Sequence, residues 1–141
     1  MKTQPILDSV LEHLIARLPE VPVELFPDDV ANYFPAHPNG AVLISYQSSS
    51  FSESQDVFFV NQKRNIQLAL TIIGRSQWND FGALDTLDQA REAMVGFEAV
   101  NCKKATVLSE QFLDEVSGLW QYQMIVNLPT QNIQHSSAEK L

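Results

Sequence analysis

The sequence predicts an α+β protein: a mainly antiparallel sheet of about four to five strands with two helices packed on one face. Three observations carry this. Two segments repeat apolar residues at three- and four-residue spacing, as helices with one buried stripe do. Most of the remaining ordered chain alternates apolar and polar residues. The alternating segments follow one another in pairs with short connections, which favours antiparallel hairpins.

The first helix is expected over residues 5–18, where Ile6, Leu7, Val10, Leu11, Leu14, Ile15 and Leu18 form one stripe. Pro5 falls in the first turn, where a missing N–H costs little, and Pro19 ends the segment. Five prolines, Pro19, Pro22, Pro27, Pro35 and Pro38, mark residues 19–40 as an extended connection. Within it the alternation of Val21, Val23 and Leu25 is compatible with a short edge strand. Asn39-Gly40 closes the connection as a turn.

Residues 41–47, AVLISYQ, read as a strand. Residues 48–56, SSSFSESQD, read as a mobile loop with a single aromatic residue, Phe51. Residues 57–74 return as a strand, with a bulge or short break at 61–64. In its second half Ile66, Leu68, Leu70 and Ile72 alternate with Asn65, Gln67, Ala69 and Thr71. The second helix is expected over 83–95, with Leu84, Leu87, Ala90, Met94 and Val95 on its stripe. Asn79 or Asp80 is its expected cap, and Gly96 its C-terminal stop. Asp85 and Asp88 lie early, where the helix dipole favours anions.

Residues 106–113 and 119–128 read as two further strands joined by DEVSG. In the last, Trp120, Tyr122, Met124, Val126 and Leu128 share one face, and Gln121, Gln123, Ile125 and Asn127 the other. Pro129 is expected to end it. Residues 1–128 are therefore read as one α+β domain and residues 129–141 as a polar, flexible C-terminal tail.

Composition narrows the function. The chain has 141 residues, 9 Lys and Arg against 17 Asp and Glu, and a formal charge of −8. That balance argues against nonspecific nucleic-acid binding, which relies on clustered cations neutralising phosphates. One cysteine, Cys102, excludes a disulfide within the chain and a Cys-rich zinc site, and fits a reducing compartment. No apolar run reaches the ~18 residues that span a membrane, and the N-terminal residues carry no signal-peptide pattern, so no membrane partner is expected.

Few residues look catalytic. Asp85, Asp88 and Glu92 could be a carboxylate cluster for a hard cation, but an open helix face cannot enclose an ion, and a solvated face is the better reading. His13, His37 and His135 sit in unrelated contexts and do not suggest a metal site. Cys102 could pair with His13 as a nucleophile, its thiol acidified by Lys103 and Lys104. A plain loop or strand-end residue is the better reading there too. Glu98 with Lys103 or Lys104 lacks the tight strand spacing of a nuclease site. No phosphate-binding glycine loop, nucleophile elbow or zinc-protease motif is present, so no catalytic, cofactor or metal residue is assigned. Interaction surface remains: the amides Gln67, Gln121, Gln123 and Asn127 on one sheet face, and the serine-rich segment. A face that meets another subunit and a face that is simply wet stay equally open.

The layout resembles the small tail proteins of Mu-like phages and prophages, which are similar to the tail-terminator, or tail-completion, proteins of long-tailed phages. The residues that carry it are ILDSVLEHLIARL, FPDD, AVLISYQSSSFS, QKRNIQLALTIIGRSQW, GALDTLDQAREAMVGF and GLWQYQMIVNLP, together with Arg75, Gly82, Gly96 and Trp120. The resemblance spans roughly residues 5–129 and carries no active site. It implies an α+β fold and a structural role in virion assembly: a homo-oligomeric ring of six copies on the tail tube at the head–tail junction. Implied partners are further copies of the chain, the tail tube protein and head–tail connector proteins, with no cofactor. The implied location is the host bacterial cytoplasm during assembly and the virion tail afterwards. A ring with an acidic lining would let DNA pass without binding. The expected interface residues are Ser48, Ser49, Ser50, Phe51, Ser52, Gln121 and Gln123, with Phe51 as apolar anchor. The alternative is a small monomeric or dimeric binding domain, or an unrecognised enzyme, with the resemblance accidental.

Overall fold

A computed structural model describes residues 2–29 and 33–134. In chain order the elements are α1 (Thr3–Arg17), β1 (Val23–Leu25), β2 (Ala41–Phe51), β3 (Asn61–Gly74), α2 (Ala83–Met94), β4 (Thr106–Val116) and β5 (Leu119–Ile133). The five strands form one sheet in the order β1-β2-β3-β5-β4. Only β1 runs parallel to its neighbour, and every other pairing is antiparallel. This is the expected α+β class, with two hairpins, β2–β3 and β4–β5, joined through a long β3–β5 ladder.

Periodicity explains the two layers. In β3, Ile66, Leu68, Leu70 and Ile72 are all buried, and in β5 so are Tyr122, Met124, Val126 and Leu128. These two sets join Val42 and Ile44 of β2 under the helices. From α1 come Ile6, Leu7, Val10 and Leu14, and from α2 Leu87, Ala90, Ala93 and Met94. Alternate residues of a strand point to opposite faces, so a continuous apolar set on one face buries that face only. A second, smaller cluster, Ala41, Leu43, Ile73 and Leu119, lies on the other face and is flanked by Phe26 and Tyr33.

Four boundaries differ from the sequence expectation. The serine run is strand rather than loop, since β2 continues to Phe51 after a bulge between Tyr46 and Ser48. Strand propensity depends on the partner, and here β3 supplies one residue for residue: Ser48 opposes Gln67 and Phe51 opposes Arg64. Residues 57–60 are not strand, because β3 begins at Asn61 and they form the hairpin connection. The last hairpin needs only Ser117 and Gly118 for its turn, with φ 54° and 80°, so β4 extends through Val116. Two consecutive positive φ values match the right-handed twist of the flanking strands.

The fourth difference is at Pro129. β5 runs through it to Ile133, and β3 pairs with β5 without a register shift from Asn61↔Ile133 to Gly74↔Trp120. The Pro129 carbonyl accepts the Lys103 N–H at 2.8 Å, on the side away from β3. A strand residue directs its N–H and C=O to the same side, so the missing proline N–H removes no bond to β3.

Two helix details also differ. α2 has Gly82 at its N-cap with no side-chain cap, rather than Asn79 or Asp80. Its first N–H groups are met by backbone instead: Ala83 donates to Ser76 O at 2.8 Å and Leu84 to Gln77 O at 3.2 Å. α2 stops at Met94 and Gly96 follows with φ 81°, as a helix stop requires. In α1, Pro5 occupies the third helical position, still within the first turn.

Candidate functional site

His13, His37 and Cys102 sit in structural surroundings. His13 donates through Nε2 to the Ala93 carbonyl at 2.7 Å, and its ring stacks on Phe97 with centroids 3.7 Å apart. The ring thereby ties α1 to the end of α2. His37 Nδ1 accepts the Asn39 N–H at 3.1 Å within the proline-rich connection. His135 lies outside the described residues. Cys102 is half-buried, and burial raises its pKa despite the opposing effects of a hydrogen bond with Thr130 and the charge of Arg64. An acidified thiol at this position, the sequence alternative, is thereby corrected: desolvation disfavours the thiolate.

Asp85 and Asp88 of α2 are engaged by neighbouring groups, and Glu92 is exposed. Asp85 Oδ2 accepts the Phe81 N–H at 3.2 Å and Gln89 Nε2 at 3.0 Å. Asp88 pairs with Arg91 at 2.7 Å, and Arg91 reaches across to Glu110 of β4 at 2.9 Å. Those contacts raise the Arg91 pKa, the Glu110 hydrogen bond most. Among the described residues no group of three or more His, Cys, Asp or Glu side chains is placed to hold a metal ion. Among the same residues no helix is long and apolar enough to cross a membrane.

The expected interface residues separate into two sets. Gln121 and Gln123 lie on the sheet face away from the helices, both half-buried. Amides pair across the strands there: Gln111 Nε2 donates to Gln123 Oε1 at 3.2 Å, and Asn127 Nδ2 to Asn65 Oδ1 at 3.2 Å. The alternation that buries Met124 and Val126 on the helix side forces these amides onto the open side.

Ser48, Ser49, Ser50 and Phe51 form the end of β2, with Ser52 just beyond. Ser49 Oγ accepts Tyr46 Oη–H at 2.8 Å and Arg64 Nε–H at 3.1 Å. Arg64 is buried, reaches Thr3 of α1 at 2.9 Å, and lies 5.8 Å from the Phe51 ring centroid. Ser52 Oγ accepts the Lys63 N–H at 2.9 Å. Ser49 and Ser52 therefore tie β2 to β3 through their hydroxyls, and Phe51 stays about half exposed, at 51%.

Three apolar exposures were not legible as surface in the sequence. At the β2–β3 connection Val57 is 90% and Phe58 93% exposed. At the other end of the sheet Phe34, Trp78 and Phe81 are exposed in loops. Along β4 every residue except Val107 is exposed, including Leu108, Phe112, Leu113 and Val116. One signal did exist: in TVLSEQFLDEV the apolar residues fall in adjacent pairs rather than alternating, so neither face can be cleanly buried. Two register shifts, at Leu108 and Leu113, accompany those pairs.

Fold and surface together define a two-layer α+β protein whose polar sheet face and open strand edges are its distinctive chemical features. A family model described as Gp37 protein matches residues 10–141, and the chain belongs to the Gp37 protein family. Comparison with curated proteins finds no match. Among solved structures the chain is similar to one from the virion of a native gene transfer agent (GTA) particle. The identity is 11% and the TM-score 0.54, over 89% of this chain and 93% of that one. At that identity the likeness is one of fold.

Proposed function

We propose that this protein is a structural component of a phage-type virion, a tail terminator that forms a ring of six copies on the tail tube where the tail meets the head. The observation that carries the reading is the shared fold, over nearly the whole of both chains, with a chain of the GTA virion. The family assignment over residues 10–141 agrees with it. The surface supports the same reading, because an exposed edge strand and a polar amide face suit association more than catalysis. The partners in this reading are further copies of the chain, the tail tube protein and the head–tail connector proteins. Each copy brings a charge of −8, and an acidic ring lining would repel the phosphate backbone of DNA sliding through it. Assembly takes place in the host bacterial cytoplasm, and the finished ring belongs to the virion tail.

The test is molar mass by light scattering across concentration, alone and with purified tail tubes of the same phage. A mass of six times 15.9 kDa, with a central pore in electron micrographs, is the expected result. A protein that stays at 15.9 kDa and does not bind tubes would overturn the reading.

A further inference from the structure

We propose that successive copies join edge to edge: β4 of one copy pairs antiparallel with residues 45–51 of β2 in the next, so that the sheet continues around the assembly. This rests on the ring reading and says what holds that ring together.

The backbone defines the two edges. β4 is the last strand of the sheet, so among the described residues its outer side faces no strand. At the opposite end β1 covers only Val42, Leu43 and Ile44 of β2. From Ser45 to Phe51 the outer side of β2 has no strand against it among the described residues. Val42 N–H donates outward to Pro22 O at 2.9 Å, and Ile44 O accepts outward from Phe26 N–H at 2.7 Å. Alternation then turns the N–H and C=O of Tyr46 outward as well. The Pro129 carbonyl faces the β4 side, and so do the backbone groups of Gln121, Gln123, Ile125 and Asn127. Their partners Asp114, Gln111, Ser109 and Thr106 face inward. Glu110 and Phe112 therefore face outward. Unpaired strand edges of this kind are templates for another strand.

Side chains point to the same partner. Where β1 stops, a groove of about 360 Å³ opens between α1 and the free part of β2, lined by Leu7, Leu25, Phe26, Ile44 and Tyr46. β4 presents exposed Leu108, Phe112 and Leu113. Charge selects between the two edges. β4 carries Glu110, Asp114 and Glu115 and no cation, whereas β2 carries no charged residue. Lys2 heads α1, whose first residues border the groove, and Arg64 sits opposite Phe51. Two β4 edges facing each other would oppose carboxylate to carboxylate, which is unfavourable. A β4 edge against a β2 edge avoids this.

Geometry makes the contact head-to-tail. The chain of antiparallel pairings leaves β2 and β4 running in opposite directions within one copy. A rotation about an axis along the strands preserves strand direction, so β4 meets the next β2 antiparallel, the better-bonded arrangement. Because the two surfaces differ and lie on opposite edges, the contact is heterologous and closes into a ring when the rotation allows. The two β4 bulges supply local bending.

The experiment uses one variant blocked on each edge. Glu110→Pro removes an outward donor from β4, and Tyr46→Pro removes one from β2. Leu113→Lys and Gln47→Lys are milder replacements should a proline variant lose its far-UV spectrum. Wild type is expected at the ring mass and each variant alone at 15.9 kDa. An equal mixture of the two is expected at twice 15.9 kDa and no higher, since each retains one working edge. Folded variants that keep the wild-type mass would overturn the edge pairing and leave the ring intact. A mixture that stays at 15.9 kDa would also overturn it. Wild type that stays at 15.9 kDa and does not bind tail tubes would overturn ring and pairing together.

Discussion

Gly40 is the position where a single methyl group should do the most damage. It immediately precedes β2 with φ +87°, and a Cβ built there would lie 1.8 Å from the Ile73 carbonyl oxygen and 2.8 Å from its carbon. Both obstacles are backbone, and Ile73 is the β3 partner of Ala41, so no side chain can rotate away. An L-residue in the left-handed region costs ~1–2 kcal/mol. Forcing the strands apart adds ~1–3 kcal/mol, as overpacking does. Gly40→Ala is therefore expected to cost about 2–5 kcal/mol. Gly118 is the control: its φ is +80° and nothing lies within 4 Å of the added Cβ. Gly118→Ala should cost only the conformational ~1–2 kcal/mol. Equilibrium urea denaturation of both variants measures the difference. With a slope of ~1–3 kcal/mol/M, the Gly40 midpoint should fall below that of Gly118→Ala by about 1 M. Equal midpoints would refute the steric argument, because the two sites share a positive φ and differ in what surrounds them.

Other substitutions test the surface and the chemistry. Phe51→Ser should lower the oligomer mass while moving the thermal transition little. Phe51 is half exposed and its contact with Arg64 is a cation–π pair worth ~0.5–1 kcal/mol; an unchanged oligomer would remove Phe51 as an anchor. Cys102 should react with iodoacetamide more slowly at pH 8 than free cysteine, because burial raises its pKa and lowers the thiolate fraction there. Its rate should climb as pH rises above 9 and should match free cysteine in urea. Arg91→Ala should cost about 1 kcal/mol or less, and the loss should shrink in 1 M salt, since its pairs with Asp88 and Glu110 are partly solvent-exposed. A larger, salt-insensitive loss in urea titrations would show that the pair to Glu110 pins β4 to α2.

Some of this protein was determined by the sequence alone, because helix and strand periodicity are local properties of a chain. The stripe Ile6, Leu7, Val10, Leu14 specifies α1 wherever the helix docks. The alternation in β3 and β5 specifies which residues face the helices and places Gln121 and Gln123 on the opposite side. Gly96 marked the end of α2 for the same local reason. Tertiary structure alone decided what depends on a distant partner. The serine run is a strand because β3 lies beside it, and Pro129 is tolerated within β5 because its missing N–H faces Lys103 rather than β3. That β1 is parallel and short, and that β4 falls at the edge, follows from strand order, which no local pattern encodes. The candidate interface divides in the same way. Composition singled out Ser48, Ser49, Ser50, Phe51 and Ser52, but they form an open edge only because, among the described residues, no strand pairs with β2 beyond Ile44 on that side. Whether an apolar residue such as Phe58 or Leu113 is core or surface is a question of what the rest of the chain brings against it: the described residues leave Phe58 93% exposed and Leu113 41% exposed.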